Sequence, residues 1–489
     1  MKKRPALKRL SLSALLFRLI PAILSLVLMM PVQAQKNILY YKDAPAAFAG
    51  SKISRQQLAS DMQFWQTVME ESHVNPYHAI SRGDMLKLQQ DLVNSLPDSV
   101  THFQASFALS TLIGALNEGH LGFASDRTSD SLFANDCIRF PYLIFDIEDG
   151  GLTVQRDLSS SNKLPAFSRI IEVNGHSVQQ LYTKYAAFYG GLEPWKKLMV
   201  KNGFRKLLYM DGITSPFNIK AVVNTDTIQF TAEGYSRKQA DSITRVIVAE
   251  MPVFKPFSLR FLDNNIAYIE FNTMNGSLRD SFSLFLRNAF TEIQNRNAAG
   301  LVIDIRRNGG GDSGLGDSLI SYISGKPYRN VSGMKMRISK HSKAYADLAG
   351  AKDPFKTWKN GSLYEYEVKK LTKPANNKLR YNGKVAVLIG NATFSSANML
   401  TNAIRDYQLA TLIGESTAEP GNDFGEIFSF MLPETHIVAT IAIKMFMRAN
   451  GDIHDFTGIS PDIPVKNTLE DIQLKKDRVI EKAVQWIVQ

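Results

Sequence analysis

Three hydroxyls, Thr393, Ser395 and Ser396, sit where an apolar run gives way to a helical pattern, in the segment VAVLIGNATFSSANMLTNAIRDYQLATLIGEST at residues 385–417. Val385–Ile389 is apolar at every position and rich in branched side chains, as expected for a strand buried on both faces. Gly390 and Asn391 break it, and Met399, Leu400, Ala403 and Ile404 then return at helical spacing. A serine at such a turn can act as a nucleophile. Its hydroxyl is lifted clear of the sheet, and the free N–H groups of the first helical turn face any oxyanion formed beside it. The same residue types are good helix caps, and this segment alone leaves both readings open. A second stretch, LVIDIRRNGGG at 301–311, runs another buried strand straight into three glycines. Glycines there permit positive φ and bring backbone N–H groups close to a ligand, or they form only a flexible turn. They do not form a phosphate loop, because Asp312, Ser313 and Gly314 follow in place of Gly-Lys-Ser/Thr.

The elements that must position these turns belong to an α/β scaffold. The strand, turn, helix and second apolar run (Leu409–Ile413) make a crossover unit. Asp263–Thr273 reads as a strand, and Ser277–Asn295 as an amphipathic helix with Phe282, Leu284, Phe285, Phe290 and Ile293 on its apolar side. Upstream, residues 54–123 carry three helical stripes, the last ending near Gly119. Residues 138–235 alternate short β-like runs with turns such as Asp149-Gly150-Gly151 and Asn174-Gly175. The polar stretch 326–380 reads as an insertion beside the substrate cleft, and 468–487 as one closing helix. Ile427–Leu432, Ile437–Ile443 and Lys444–Arg448 read as three strands.

Together the two turns resemble the serine peptidase family of the C-terminal (tail-specific) processing proteases and the tricorn core protease. Asp304, Arg306, Asn308, Gly309, Gly310 and Gly311 match that family's D-x-R-x-N-x-G-G-like turn. Thr393 and Ser395 match its nucleophile turn, with Asn398 where the family usually has Glu. The resemblance implies Ser395 as nucleophile and an oxyanion hole drawn from Gly309, Gly310 and Ser396. It also implies a crossover (ClpP/crotonase-like) catalytic domain, and a polypeptide substrate without a cofactor or metal. Tail-specific members take a lysine about 25 residues beyond the serine as base, but none occurs between Ser395 and Lys444. The tricorn-like branch takes a histidine after an N-terminal helical region, and that place is His120, preceded by Gly119 where tricorn has serine. The GISPDIPV ending at 458–465 is a further family mark, and three residues before it Asp455 stands where a glutamate orients the histidine. FSRIIEVNGHSVQQL at 167–181 looks like the strand–turn–helix of a PDZ domain, which either holds a substrate tail or serves as a structural insert.

The resemblance divides the chain into a signal peptide (1–34), an N-terminal helical region (35–136), a PDZ-like domain (137–245) and the catalytic domain (246–489). The first segment has a basic start, an apolar run and a Val32-Gln33-Ala34 cleavage site, which points to export to the periplasm or beyond, with no membrane span after cleavage. Its six basic residues account for more than half of the formal charge of +11 over 489 residues, so the remainder gives no case for nucleic acid. A single cysteine, Cys137, excludes an internal disulfide, and no Cys/His cluster has zinc spacing. Two other classes stay open: a non-catalytic carrier on the same scaffold, which would have no need of Ser395, His120 and Asp455 together, and an esterase with the same machinery.

Overall fold

In the computed structural model the described residues are 38–42, 52–124, 139–159, 161–236, 238–239, 241–243, 245, 253–350 and 354–489. The signal segment and Cys137 lie outside them. The N-terminal part contains β1 (Ile38–Leu39), β2 (Ile53–Ser54), α1 (Arg55–Ser72), α2 (Arg82–Ser95), β3 (Ser99–Val100), α3 (His102–Leu116) and β4 (Gly122–Ala124). Ser54 and Thr101 open α1 and α3 with reciprocal capping boxes. The left-handed Asn117 (φ 54°) closes α3.

A middle unit follows with its own core around Phe140, Tyr142, Tyr185, Phe204 and Phe217. Its sheet has the order β10-β9-β7-β6-β5, with β8 paired to β7. The strands are β5 (Tyr142–Glu148), β6 (Gly151–Asp157), β7 (Arg169–Val173), β8 (His176–Ser177), β9 (Phe217–Val223) and β10 (Asp226–Ala232). Two helices cover it, α4 (Val178–Ala186) and α5 (Glu193–Met210). The second was not expected. Its buried positions Val200, Phe204, Leu207 and Leu208 have helical spacing, but short β-like runs on either side mask the pattern.

The third part is built on a six-stranded sheet in the order β11-β12-β13-β16-β17-β20. These are β11 (Phe257–Leu262), β12 (Ile266–Phe271), β13 (Gly300–Asp304), β16 (Val385–Ile389), β17 (Thr411–Gly414) and β20 (Ile463–Pro464), all parallel except the β11–β12 pair. Alternate residues bury on opposite faces. Leu301, Ile303, Val385, Val387 and Ile389 pack under α6 (Arg279–Asn295), α7 (Ser313–Ile323) and α9 (Ser396–Tyr407). Val302, Ala386 and Leu388 pack under α11 (Arg478–Val488). The unbroken apolar runs in β13 and β16 follow from this double cover.

A second sheet, β1-β18-β19-β14-β15 with β4 on β19, packs against α1 and α3. It comprises β14 (Gly333–Arg337), β15 (Leu363–Glu367), β18 (Asp423–Met431) and β19 (Val438–Met447). The stretch read as an insertion thus supplies two strands, and also α8 (Lys340–Leu348). Val438–Met447 is one strand, not two: Lys444 pairs with both Gly425 and Met336, and pairing to β18 continues on both sides of Ile443. The closing helix is also divided, into α10 (Leu469–Gln473) and α11, by a left-handed Lys475 (φ 59°).

Candidate active site

Of the three hydroxyls at the strand-to-helix turn, two are spent on structure. Thr393 Oγ1 is buried, accepts from the Gly390 amide (3.1 Å) and donates to Ile305 O (3.0 Å). Ser396 Oγ donates to Gly311 O (2.5 Å). Ser395 occupies the cap position of α9 but its side chain makes no capping bond, and its backbone is held at φ 53°, ψ −127°. A non-glycine residue in that region is strained and needs surroundings that enforce it. The capping alternative is therefore set aside for Ser395.

The glycine turn packs directly on this corner. A Cβ at Gly310 (φ 92°) would stand 2.7 Å from Phe394 O and 2.8 Å from Ser396 N, so only glycine fits. Asn308 organises the turn: its Nδ2 donates to Phe271 O (3.0 Å), its carbonyl accepts from the Phe394 amide (3.1 Å), and its Oδ1 accepts from the Gly310 amide (3.0 Å). This last bond corrects the expected oxyanion hole, since the Gly310 N–H already has an acceptor. The amides of Gly309 and Ser396 have no acceptor among the described residues. Asp304 and Arg306 of the same motif do not face the nucleophile. Arg306 bridges Asp304 (2.6 Å) and Asp477 (2.8 Å), and Tyr268 OH donates to Asp304 (2.6 Å), which ties the β13 turn to the start of α11. Burial opposes the Asp304 charge, but Arg306 overrides it and holds the carboxyl below its usual range.

His120 lies between the end of α3 and β4, and the β4–β19 ladder (Ala124 to Val438, Gly122 to Thr440) fixes its place. Its Nδ1 is 3.3 Å from Glu419 Oε1 and 3.6 Å from Asp423 Oδ1. Glu419 Oε2 in turn accepts the backbone N–H of Ser395. One carboxylate thus touches both the Ser395 backbone and the imidazole. Burial, and next the Asp423 charge, push the Glu419 carboxyl well above its usual range. Burial alone would lower the imidazole pKa, but the charge and hydrogen bond of Asp423 outweigh it and the net shift is upward.

Asp455 is not among the carboxylates beside this histidine. Its Oδ2 pairs with Arg448, which also binds Asp406 (2.8 Å), and its Oδ1 caps Thr457 (2.9 Å). It fastens the 450–458 loop, and the places beside the imidazole go to Glu419 and Asp423. No histidine-spaced motif marks those two in the sequence. The usable signal is that both lie in the loop-to-strand segment directly after the nucleophile unit. Asn398 also has a definite place in this network. With Asn402 one turn on, it donates to the backbone of that segment, at Pro420 O (2.8 Å) and Gly421 O (2.9 Å). A glutamate at 398 would set a carboxylate against a carbonyl oxygen.

The middle unit closes over this corner. Trp195 stacks on Phe394 (centroids 4.0 Å apart, 15° between planes), and Phe394 lies 4.9 Å from the His120 ring. A Cβ at Gly190 would meet the Glu118 amide at 2.2 Å, so this turn needs glycine to lie on the histidine segment. Gly119 is enclosed as well, since an added Cβ would come within 3.2 Å of the Phe394 ring.

These features place an unbonded serine hydroxyl, a glycine turn and a histidine–carboxylate cluster together on a crossover α/β domain. The family model for Peptidase family S41 matches residues 265–465, so this domain is similar to that family of serine peptidases. Mature CPAF superposes with a TM-score of 0.59 at 16% identity, covering 88% of this chain and 96% of that chain. Mature CPAF complexed with lactacystin gives 0.61 at 15% identity, covering 88% and 99%. The photosystem II D1 C-terminal processing protease gives 0.42 at 15% identity, covering 84% and 93%. No curated protein matches the sequence. Among the described residues no helix is long and apolar enough to cross a membrane.

Proposed function

We propose that the chain is an active, exported serine endopeptidase in which Ser395 attacks the scissile carbonyl and His120 takes its proton. Nδ1 of His120 faces the carboxylates, which leaves Nε2 as the nitrogen that receives the serine proton. Asp423 holds that tautomer and stabilises the imidazolium, while Glu419 locks the backbone of Ser395 against the same cluster. The amides of Gly309 and Ser396 receive the oxyanion, at about 3 kcal/mol of transition-state stabilisation per donor. The missing lysine and the histidine base align the chain with the tricorn-like branch. The observation that carries this reading is the single Glu419 side chain reaching both Ser395 and His120. It supports hydrolysis over a carrier function, because a carrier has no use for an uncommitted hydroxyl on a strained corner beside an enclosed histidine–carboxylate cluster. Beyond the two uses open to the middle unit, a substrate-tail holder or a structural insert, the Trp195–Phe394 stack favours a third, a cover over the site.

The test is Ser395→Ala in the purified protein. Peptide hydrolysis should fall by at least about 10⁴-fold, and labelling by a fluorophosphonate should vanish. Labelling that survives in the variant sinks the assignment. Turnover of acyl esters with none of peptides would replace the peptidase by the esterase.

A further inference from the structure

We infer that His120, Glu419 and Asp423 form an inhibitory binding site for a divalent cation of the zinc type. One ligand atom from each, Nδ1 and two carboxylate oxygens, lies within 4.8 Å of the others. The measured separations from Nδ1 are 3.3 Å to Glu419 Oε1 and 3.6 Å to Asp423 Oδ1. Ligand atoms around tetrahedral zinc, with bonds of about 2.0–2.1 Å, stand about 3.3 Å apart. The cluster therefore needs little movement to close on such an ion. An independent observation points the same way. Glu419 is 2% exposed, yet its Oε1 has no hydrogen-bond partner and is turned toward His120. Its other oxygen is fixed by the Ser395 amide, the kind of outer support that orients a metal ligand.

Charge favours a cation here. Two buried carboxylates so close cannot both ionise without a counter-charge. A divalent ion supplies that counter-charge. The consequence for chemistry rests on the peptidase reading. A neutral imidazole with a metal on Nδ1 carries its remaining proton on Nε2. That nitrogen then has no lone pair for the serine proton, so the bound ion switches the base off. Magnesium, which holds to octahedral geometry and keeps its waters, does not suit this enclosed site.

The full-chain Ser395→Ala protein, titrated with Zn²⁺ in a calorimeter, should bind one ion per chain and unfold at a higher temperature. Mg²⁺ at the same concentration should give neither effect. Glu419→Gln and Asp423→Asn should each weaken Zn²⁺ binding at least about tenfold, whereas changing the exposed His176 or His454 to Ala should not. In the wild-type protein, Zn²⁺ should slow fluorophosphonate labelling and EDTA should restore it. Absence of stoichiometric Zn²⁺ binding, or equal binding in both carboxylate variants, overturns the site. If Zn²⁺ binds as described but the wild-type protein shows no labelling even in EDTA, the peptidase reading fails and the metal site stands.

Discussion

Asp423 is the residue whose loss should speak most directly about the imidazole. Its charge and hydrogen bond raise the His120 pKa against burial, so the base loses its proton at a higher pH than an ordinary histidine near 6.5. Activity carried by neutral His120 rises as pH climbs through that elevated value. In Asp423→Asn the main raising influence is gone while burial and the smaller effect of Glu118 remain, so the acid limb of kcat/KM should move to lower pH and the plateau should fall. The profile is measured in EDTA, and an unmoved acid limb would remove Asp423 from its orienting role. Gly310 gives a steric counterpart. Its positive φ and the 2.7 Å approach of its Cβ position to Phe394 O leave no room for a methyl group. Gly310→Ala should therefore push the turn off the Ser395 corner and lower kcat by at least about 10²-fold, as loss of an oxyanion donor does. Steady-state kinetics with KM and kcat separated will show it.

At the scale of elements, the D-x-R part of the glycine motif is a clamp and not chemistry. Arg306 is surrounded by Asp304 and Asp477, and through them it fixes the β13 turn to the N-terminus of α11. Removing one member of a buried ion pair costs about 3–5 kcal/mol, so Arg306→Ala should lower the urea midpoint markedly. The pH sign follows from Asp304, whose folded pKa is depressed. Its contribution is present above the ordinary aspartate value and is lost as pH falls through the lower folded value. Acid unfolding of Asp304→Asn should lack that portion of the pH dependence. Much at this scale was legible in the sequence. The runs 301–304 and 385–389 are apolar throughout because both faces are covered, and the crossover helix at 396–407 carries its apolar stripe in register with them. The failures have physical causes. Lys444 looks like a strand break, but it is partly exposed and pairs with both Gly425 and Met336 within β19. Residues 474–477 look helical, until a left-handed lysine ends the pattern.

The whole molecule decides what no local pattern can. Ser395 and the glycine turn could be singled out in the sequence because each lies in a short turn that directly follows a buried strand. His120 could be singled out only by resemblance, since its surroundings are set by β4 pairing with a strand more than 300 positions later. The resemblance pointed to Asp455 beside the imidazole, but the fold pairs it with Arg448, and the carboxylates near His120 Nδ1 are Glu419 and Asp423. The middle unit adds a contact that sequence patterns did not suggest, Trp195 laid flat on Phe394 next to both the nucleophile and the base. An aromatic pair of this kind contributes about 0.5–1.5 kcal/mol beyond its buried area. If the middle unit holds the site closed through that stack, Trp195→Ala should lower kcat/KM by roughly 3- to 10-fold through Phe394 and the His120 ring it supports. Trp195→Phe, which keeps a face to stack, should recover most of the loss. Full activity in Trp195→Ala, with its tryptophan emission otherwise unchanged, would show that the middle unit only adjoins the site and does not close it.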